Sequence, residues 1–315
     1  MKQLMKNIIA ASLLIAATST VLNAQFIPTR SNYLMSSFMD HPAAAGNKEC
    51  LDMRLGHRNQ WVGFPGAPTN SYLSLTGRLS EGARSAQGVG VKLENDQAGP
   101  WGSTSVSLAY SHKIKLTKGG WVSAGFSLGM SQFRLNIGDL DFPDVEASGD
   151  PALTGETAQF TFPLIDAGFW YQDKKSFGGL SILNATSANI NGITSGSKAP
   201  KVIVATGGSS LELDGKYMFR PSVNIRYAKG LAPSFEMNGA VVYDDLISVG
   251  IGYRSQSAVV GSFQVALFDY MKVGYSYDFG ISRINVVSNT SHEFTLAFSA
   301  CDKNASRAIS CPAYD

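Results

Sequence analysis

From Tyr270 onward, hydrophobic and polar positions alternate one for one. Met271, Val273, Tyr275, Tyr277 and Phe279 are interleaved with Lys272, Gly274, Ser276, Asp278 and Gly280. Phe294, Leu296 and Phe298 are interleaved with Thr295, Ala297 and Ser299. Strict period two, with one greasy face and one small or polar face, reads as strands standing between two solvents. In a sandwich the greasy face meets a core. In an outer-membrane barrel it meets lipid, and the polar face lines a lumen.

The pattern predicts fourteen strands, near 51–60, 69–79, 86–95, 102–116, 121–133, 160–171, 176–184, 201–217, 220–229, 234–243, 246–255, 259–268, 270–279 and 290–299. The fifth is the cleanest, with Val122, Ala124, Phe126, Leu128 and Met130 on one face and Ser123, Gly125, Ser127, Gly129 and Ser131 on the other. The eighth and twelfth carry the weakest alternation. Short links such as Thr117 to Gly120, Gln172 to Lys175 and Asp244-Asp245 follow even-numbered strands. The long links 134–159, 185–200 and 280–289 follow odd-numbered ones. That parity is expected of an outer-membrane barrel with short periplasmic turns, longer outside loops and both termini in the periplasm.

The N-terminus supplies the compartment. Lys2 and Lys6 precede a short apolar run, Ile8 to Ala17, and the sequence VLNA ends at Ala24. This reads as a secretory signal peptide over 1–24, cut between Ala24 and Gln25. No later apolar run is long enough for a transmembrane helix. Residues 25–49 are not strand-like, and are expected either in the periplasm or folded into the lumen as a plug. Residues 50–299 are expected to form the barrel, and 300–315 a periplasmic tail.

Charged residues make up 16% of the chain, against about a quarter in ordinary soluble domains. Taking the two leader lysines from 26 basic residues leaves 24, equal to the 24 acidic ones. A neutral mature chain argues against a nucleic-acid partner and suits contact with outer-membrane lipid.

Chemistry-bearing motifs are sparse. The four histidines are His41, His57, His112 and His292. His292 and Glu293 adjoin in a strand and so face opposite sides. There is no Gly-x-Ser-x-Gly elbow. No enzyme activity, cofactor or metal site is expected. The acidic residues Asp139, Asp141, Asp144, Glu146 and Asp150 miss the spacing of a calcium loop and read as a solvated link. Cys50, at the start of the first strand, is expected to bridge to Cys301 or Cys311. A local Cys301–Cys311 loop and free thiols are the alternatives, and an odd count leaves one thiol over.

The segment from Tyr33 to Asn70 carries a family likeness. Pro42, Ala43, Ala45 and Gly46 form one block, with His41 where related chains have Asn. Arg58, Asn59, Gln60, Trp61, Val62 and Gly63 form a second, followed by Gly66, Ala67 and Pro68. Gly88 to Asp96, Tyr253-Arg254, Gly274 to Asp278 and Ser291-His292-Glu293 continue the series in order. This arrangement resembles the PorP/SprF family of Bacteroidetes outer-membrane proteins, over nearly the whole mature chain. The resemblance implies a non-enzymatic part of the type IX secretion and gliding apparatus. It implies partners in the PorK–PorN ring, in PorE-like peptidoglycan-linked proteins, and in secreted cargo with a C-terminal secretion domain. Pro42, Gly46, Arg58, Asn59, Gln60, Trp61, Gly66, Ala67 and Pro68 are the candidate partner contacts. Independently of the family, Gly66 and Pro68 shape a turn, and Trp61 suits a membrane interface. A passive, porin-like solute channel is the alternative function, because a lumen lined with Ser, Gly and Thr suits water.

Overall fold

Alternation of this kind folds as a wall one strand thick, since each strand has one face for lipid and one for the interior. The computed structural model describes residues 28–117, 119–136, 158–188, 198–282 and 290–301. The strands are β1 (Leu51–Asn59), β2 (Thr69–Glu81), β3 (Ser85–Ala98), β4 (Trp101–Lys115), β5 (Trp121–Leu135), β6 (Ala158–Gln172) and β7 (Ser176–Leu183). They continue with β8 (Val202–Ser209), β9 (Leu211–Asp214), β10 (Tyr217–Ala228), β11 (Ser234–Tyr243), β12 (Ile247–Arg254), β13 (Ala258–Phe268), β14 (Met271–Gly280) and β15 (Thr290–Ala300). Both β8 and β9 pair with β10, so they are two pieces of one stave, interrupted at Ser210. That is where the sequence predicted a single weak strand over 201–217.

Every stave pairs antiparallel with its sequence neighbour. The sheet closes where β1 pairs with β15, Leu51 opposite Ala300 and Asn59 opposite His292. The result is a closed antiparallel barrel of fourteen staves, as the alternation predicted. Closure leaves no sheet edge along the seam, which is what permits a β-structure in lipid. Strands of up to 15 residues exceed the nine to eleven or so needed to cross a bilayer. The extra residue of a bulge falls at Leu79 in β2 and at Leu267 in β13, both near strand ends. Outward positions stay exposed and greasy, among them Leu108, Leu128, Phe169, Ile251 and Phe294. Inward positions are buried and polar: Ser74, Ser107, Ser111, Ser123, Ser127, Ser181 and Ser276.

One end of the barrel carries the short connections, including 82–84, 173–175 and 269–270. The other carries the long ones, 136–157, 184–201 and 281–289. Cys50 and Cys301 lie at the short-turn end, joined by a disulfide across the seam. In the 173–175 turn the Asp173 carboxylate accepts the backbone N–H groups of Lys175 and Ser176, both at 2.7 Å, and the Tyr171 hydroxyl. The leader, the acidic residues Asp139 to Asp150, Cys311 and the tail lie outside the described residues.

Candidate functional site in the lumen and at its rim

Residues 28–47 lie inside the barrel, not outside it. Of the two placements the sequence left open, periplasm or lumen plug, the described part of the segment takes the second. The carbonyl of Pro28 accepts from Arg226, near the long-link end of β10, while Glu49 meets Arg78 at the other end. The chain therefore enters the described lumen at the long-link end and runs down to Cys50. The first described residue, Pro28, and Cys301 therefore lie at opposite ends of the described barrel.

The local fold of this plug is irregular: turns over 31–36, one helical turn α1 (Ser37–Asp40) and a 3-10 turn (Pro42–Ala44). Irregular backbone at membrane depth needs partners for its peptide groups. The wall's serines and threonines supply them. Ser111 donates to the Ala45 carbonyl at 2.7 Å, and Ser123 to the Ala43 carbonyl at 2.9 Å. The Gly46 N–H donates to Thr76 at 2.6 Å. Close packing depends on glycine in the wall. A Cβ on Gly125 would sit 2.5 Å from Ala43 Cα, and one on Gly88 would sit 2.1 Å from the Ala45 oxygen. Phe38, Ala43, Ala44 and Ala45 pack with Ala109, Trp170 and Phe177 as the apolar part of the fill.

Charge fixes the other half of the plug. Asp278 accepts from Arg58 at 2.7 Å, from Arg254 at 2.8 Å and from the Ser31 hydroxyl at 2.7 Å. The same hydroxyl accepts from the two arginines at 2.7 and 2.8 Å. Arg254 also donates to Glu236 at 2.7 Å, and Glu293 accepts the Ser31 N–H at 2.6 Å. Alongside, Asp40 binds Arg30 at 2.8 Å and also Arg226, while Arg30 reaches Glu94 at 2.5 Å. Lys92 pairs with Asp166 at 2.8 Å. His41 lies 2.8 Å from the hydroxyls of both Ser181 and Thr206. Desolvation offsets most of the attraction in such pairs. Their value here is register, because a displaced plug would leave buried charges unmatched.

The nine candidate contacts divide into two groups. Pro42, Gly46 and Arg58 are interior, and Pro68 is buried within the β1–β2 link: Pro42 opens the 3-10 turn, Gly46 adopts φ +62° against the wall, Arg58 is buried on Asp278, and the Pro68 carbonyl accepts the Gln60 N–H at 2.9 Å. Asn59, Gln60, Trp61 and Ala67 are half-buried, and Gly66 is exposed. Trp61 adopts φ 54° and its N–H donates to Ser291 at 3.1 Å. The exposed apolar residues of this link, Val62 and Phe64, were not among the candidates. Nor was the lumen cluster of Arg254, Asp278 and Glu293. Its signal was charge on the glycine- and serine-lined face of the strands. His292 and Glu293 do face opposite ways: Glu293 is fully buried in the lumen, and His292 meets the Tyr275 hydroxyl at 2.8 Å.

Residues 22–298 match the family model for the type IX secretion system membrane protein PorP/SprF. The chain belongs to the PorP/SprF family. This PorP/SprF protein is an outer-membrane component of the type IX secretion system. Comparison with curated proteins found no match. Among solved structures it is similar to the translocator domain of autotransporter NalP from Neisseria meningitidis, at 12% identity, covering 84% of this chain and 91% of that one, with a TM-score of 0.45. It is also similar to a Pseudomonas aeruginosa FadL homologue (9% identity, 87% and 98% covered, TM-score 0.47). The Pseudomonas putida toluene transporter TodX is a third (10% identity, 88% and 94% covered, TM-score 0.44). At these scores the likeness is no more than barrel to barrel.

Proposed function

We propose that this PorP/SprF barrel is a docking platform. Its long-link rim receives secreted proteins bearing a C-terminal secretion domain. Its short-turn end couples to periplasmic parts of the machine, the PorK–PorN ring and a PorE-like peptidoglycan-linked protein. The observation that carries the reading is the filled lumen. A chain segment held from Ser31 to Gly46 by ion pairs and wall hydroxyls suits a rigid attachment better than a conduit. Family membership supports the machine context. Long links facing outward would follow the usual arrangement of outer-membrane barrels. The exposed Val62 and Phe64 then offer an apolar tip at the cell surface. Because residues 28–47 are buried, periplasmic attachment falls to the short turns and the region after Cys301.

The test is capture. The barrel, tagged in a short turn and gently solubilised, is expected to co-purify with ring components and with proteins carrying C-terminal secretion domains. Recovery of the barrel alone, under conditions that keep other secretion complexes whole, would refute the docking role. The passive channel makes the opposite forecast: steady conductance of the purified wild-type barrel in a planar bilayer.

A further inference from the structure

The outer wall of the barrel carries a groove of about 710 Å3 that crosses β14, β15 and β1 to β4. Its floor is apolar, with Leu55, Leu73, Leu93 and Phe294. Its lip toward the long links is polar, with His57, Ser71, Asn95 and Thr104. On each of β1 to β4 the change takes a single outward step: His57 above Leu55, Ser71 above Leu73, Asn95 above Leu93 and Thr104 above Val106. The lip is hydrogen-bonded. Thr104 donates to Asn95 Oδ1 at 2.8 Å, and Arg134 Nη2 donates to that oxygen at 3.3 Å and to the Thr104 hydroxyl at 3.1 Å. The Nε and Nη1 of Arg134 have no acceptor among the described residues, and no described carboxylate pairs with it. His57 uses Nδ1 on Ser71 at 2.8 Å, and its Nε2 has no partner among the described residues. The carboxylates in the upper halves of β1 to β6 are Glu94, Asp96 and Asp166, all on lumen-facing positions. Glu94 also borders the groove, but gives its carboxylate to Arg30 and Asn70 in the lumen.

Every strand of the floor is paired on both sides, so the groove offers no open edge to a peptide strand. Recognition falls to side chains alone, apolar below and hydrogen-bonding above, with one guanidinium. At the border of a lipid-facing band, that profile fits an amphiphile with acyl chains and an anionic head. A guanidinium fork matches phosphate, and a phosphomonoester brings more charge than a diester. We infer that this groove binds one phosphorylated glycolipid of the lipid A type. Its acyl chains lie along Leu55, Leu73, Leu93 and Phe294. A phosphate accepts from Nε and Nη1 of Arg134, and sugar hydroxyls meet His57 Nε2 and the Asn95 amide. A sterol or a neutral glycolipid would leave Arg134 without a counter-charge. The choice of lipid A over an inner-leaflet phospholipid rests on the reading that the long links face outward.

The experiment titrates the full barrel in detergent with bisphosphorylated lipid A, the same lipid A stripped of phosphate, and phosphatidylglycerol, and counts bound copies by native mass spectrometry. One copy of lipid A is expected to be retained, at least about tenfold more tightly than either of the others, the scale of one charge-assisted hydrogen bond. Arg134→Gln should erase that preference, and Leu73→Trp, which fills the floor, should weaken retention. Lys115→Gln makes the same charge change at an exposed site on the short-turn end and should leave the preference intact. The heat-modifiable gel shift confirms that each variant is folded. Equal retention of the stripped lipid, no effect of Arg134→Gln, an equal effect of Lys115→Gln, or phosphatidylglycerol held as tightly as lipid A would each overturn the inference. An epitope placed directly before Pro28 and probed on intact cells reports orientation separately. Selective retention through Arg134 with labelling only after lysis would put the groove in the other leaflet and remove lipid A as its occupant. Surface labelling with no phosphate preference removes the groove and leaves the docking reading.

Discussion

Asp278 is the centre of the upper lock, and its loss gives the sharpest forecast. In Asp278→Ala, Arg254 keeps Glu236 at 2.7 Å, and Arg58 keeps only Glu293 at 3.5 Å. The Ser31 hydroxyl loses its acceptor while still facing two arginines. Removing one partner of a buried ion pair costs about 3–5 kcal/mol, and because each arginine retains one carboxylate the lower figure, ~3 kcal/mol, applies. The cost falls on the plugged state. Once the segment around Ser31 leaves, water reaches both arginines and solvates them. The free energy of plug opening therefore drops by that amount, and the open population rises roughly a hundredfold at ~1.4 kcal/mol per decade. Hydrogen exchange followed by mass spectrometry reads this directly. Amides in 31–40 should exchange about two orders of magnitude faster than in the wild type, with the β3–β5 wall unchanged. Wild-type exchange across 31–40 in a folded variant would refute the idea that Asp278 holds the plug. Equal acceleration of wall and plug would show that the cluster stabilises the barrel instead.

Other forecasts follow from single contacts. Gly88→Val forces a side chain into the Ala45 carbonyl, so the lower plug should be displaced and the barrel should conduct in a planar bilayer; a silent variant would mean that the plug does not close the lumen. Non-reducing peptide mapping should recover Cys50 linked to Cys301, and alkylation of both thiols before reduction would contradict the seam disulfide. Slight burial pushes the Asp173 carboxyl up, but hydrogen bonds from Tyr171, Lys175 and Ser176 outweigh it and hold the carboxyl below its usual range. Its contribution to the turn is thus present at neutral pH and lost as pH falls below the carboxylate range. Protection of the Lys175 and Ser176 amides should weaken in acid and not in base, and pH-independent protection would remove this role. An epitope inserted directly before Pro28 should be reached by antibody on intact cells, and labelling only after lysis would reverse the assigned orientation of the barrel.

The wall was legible because its signal is local. Val122 and Ser123 declare opposite faces with no knowledge of the rest of the chain, since side chains alternate along any strand. Link parity and closure likewise bring Cys50 beside Cys301, and alternation separates His292 from Glu293. The single stave broken at Ser210 was legible as a weak strand and not as two pieces. The plug was legible only as a remainder. Its contacts join residues far apart in sequence, Ser31 with Glu293 and Asp278, Asp40 with Arg226, and His41 with Thr206. Nothing in the segment 28–47 itself says which end it enters or which carboxylate it meets. Alternation along the chain determined a lipid-facing barrel. Only closure of that barrel decided what fills it, because burial and pairing of charge depend on groups that meet across the lumen.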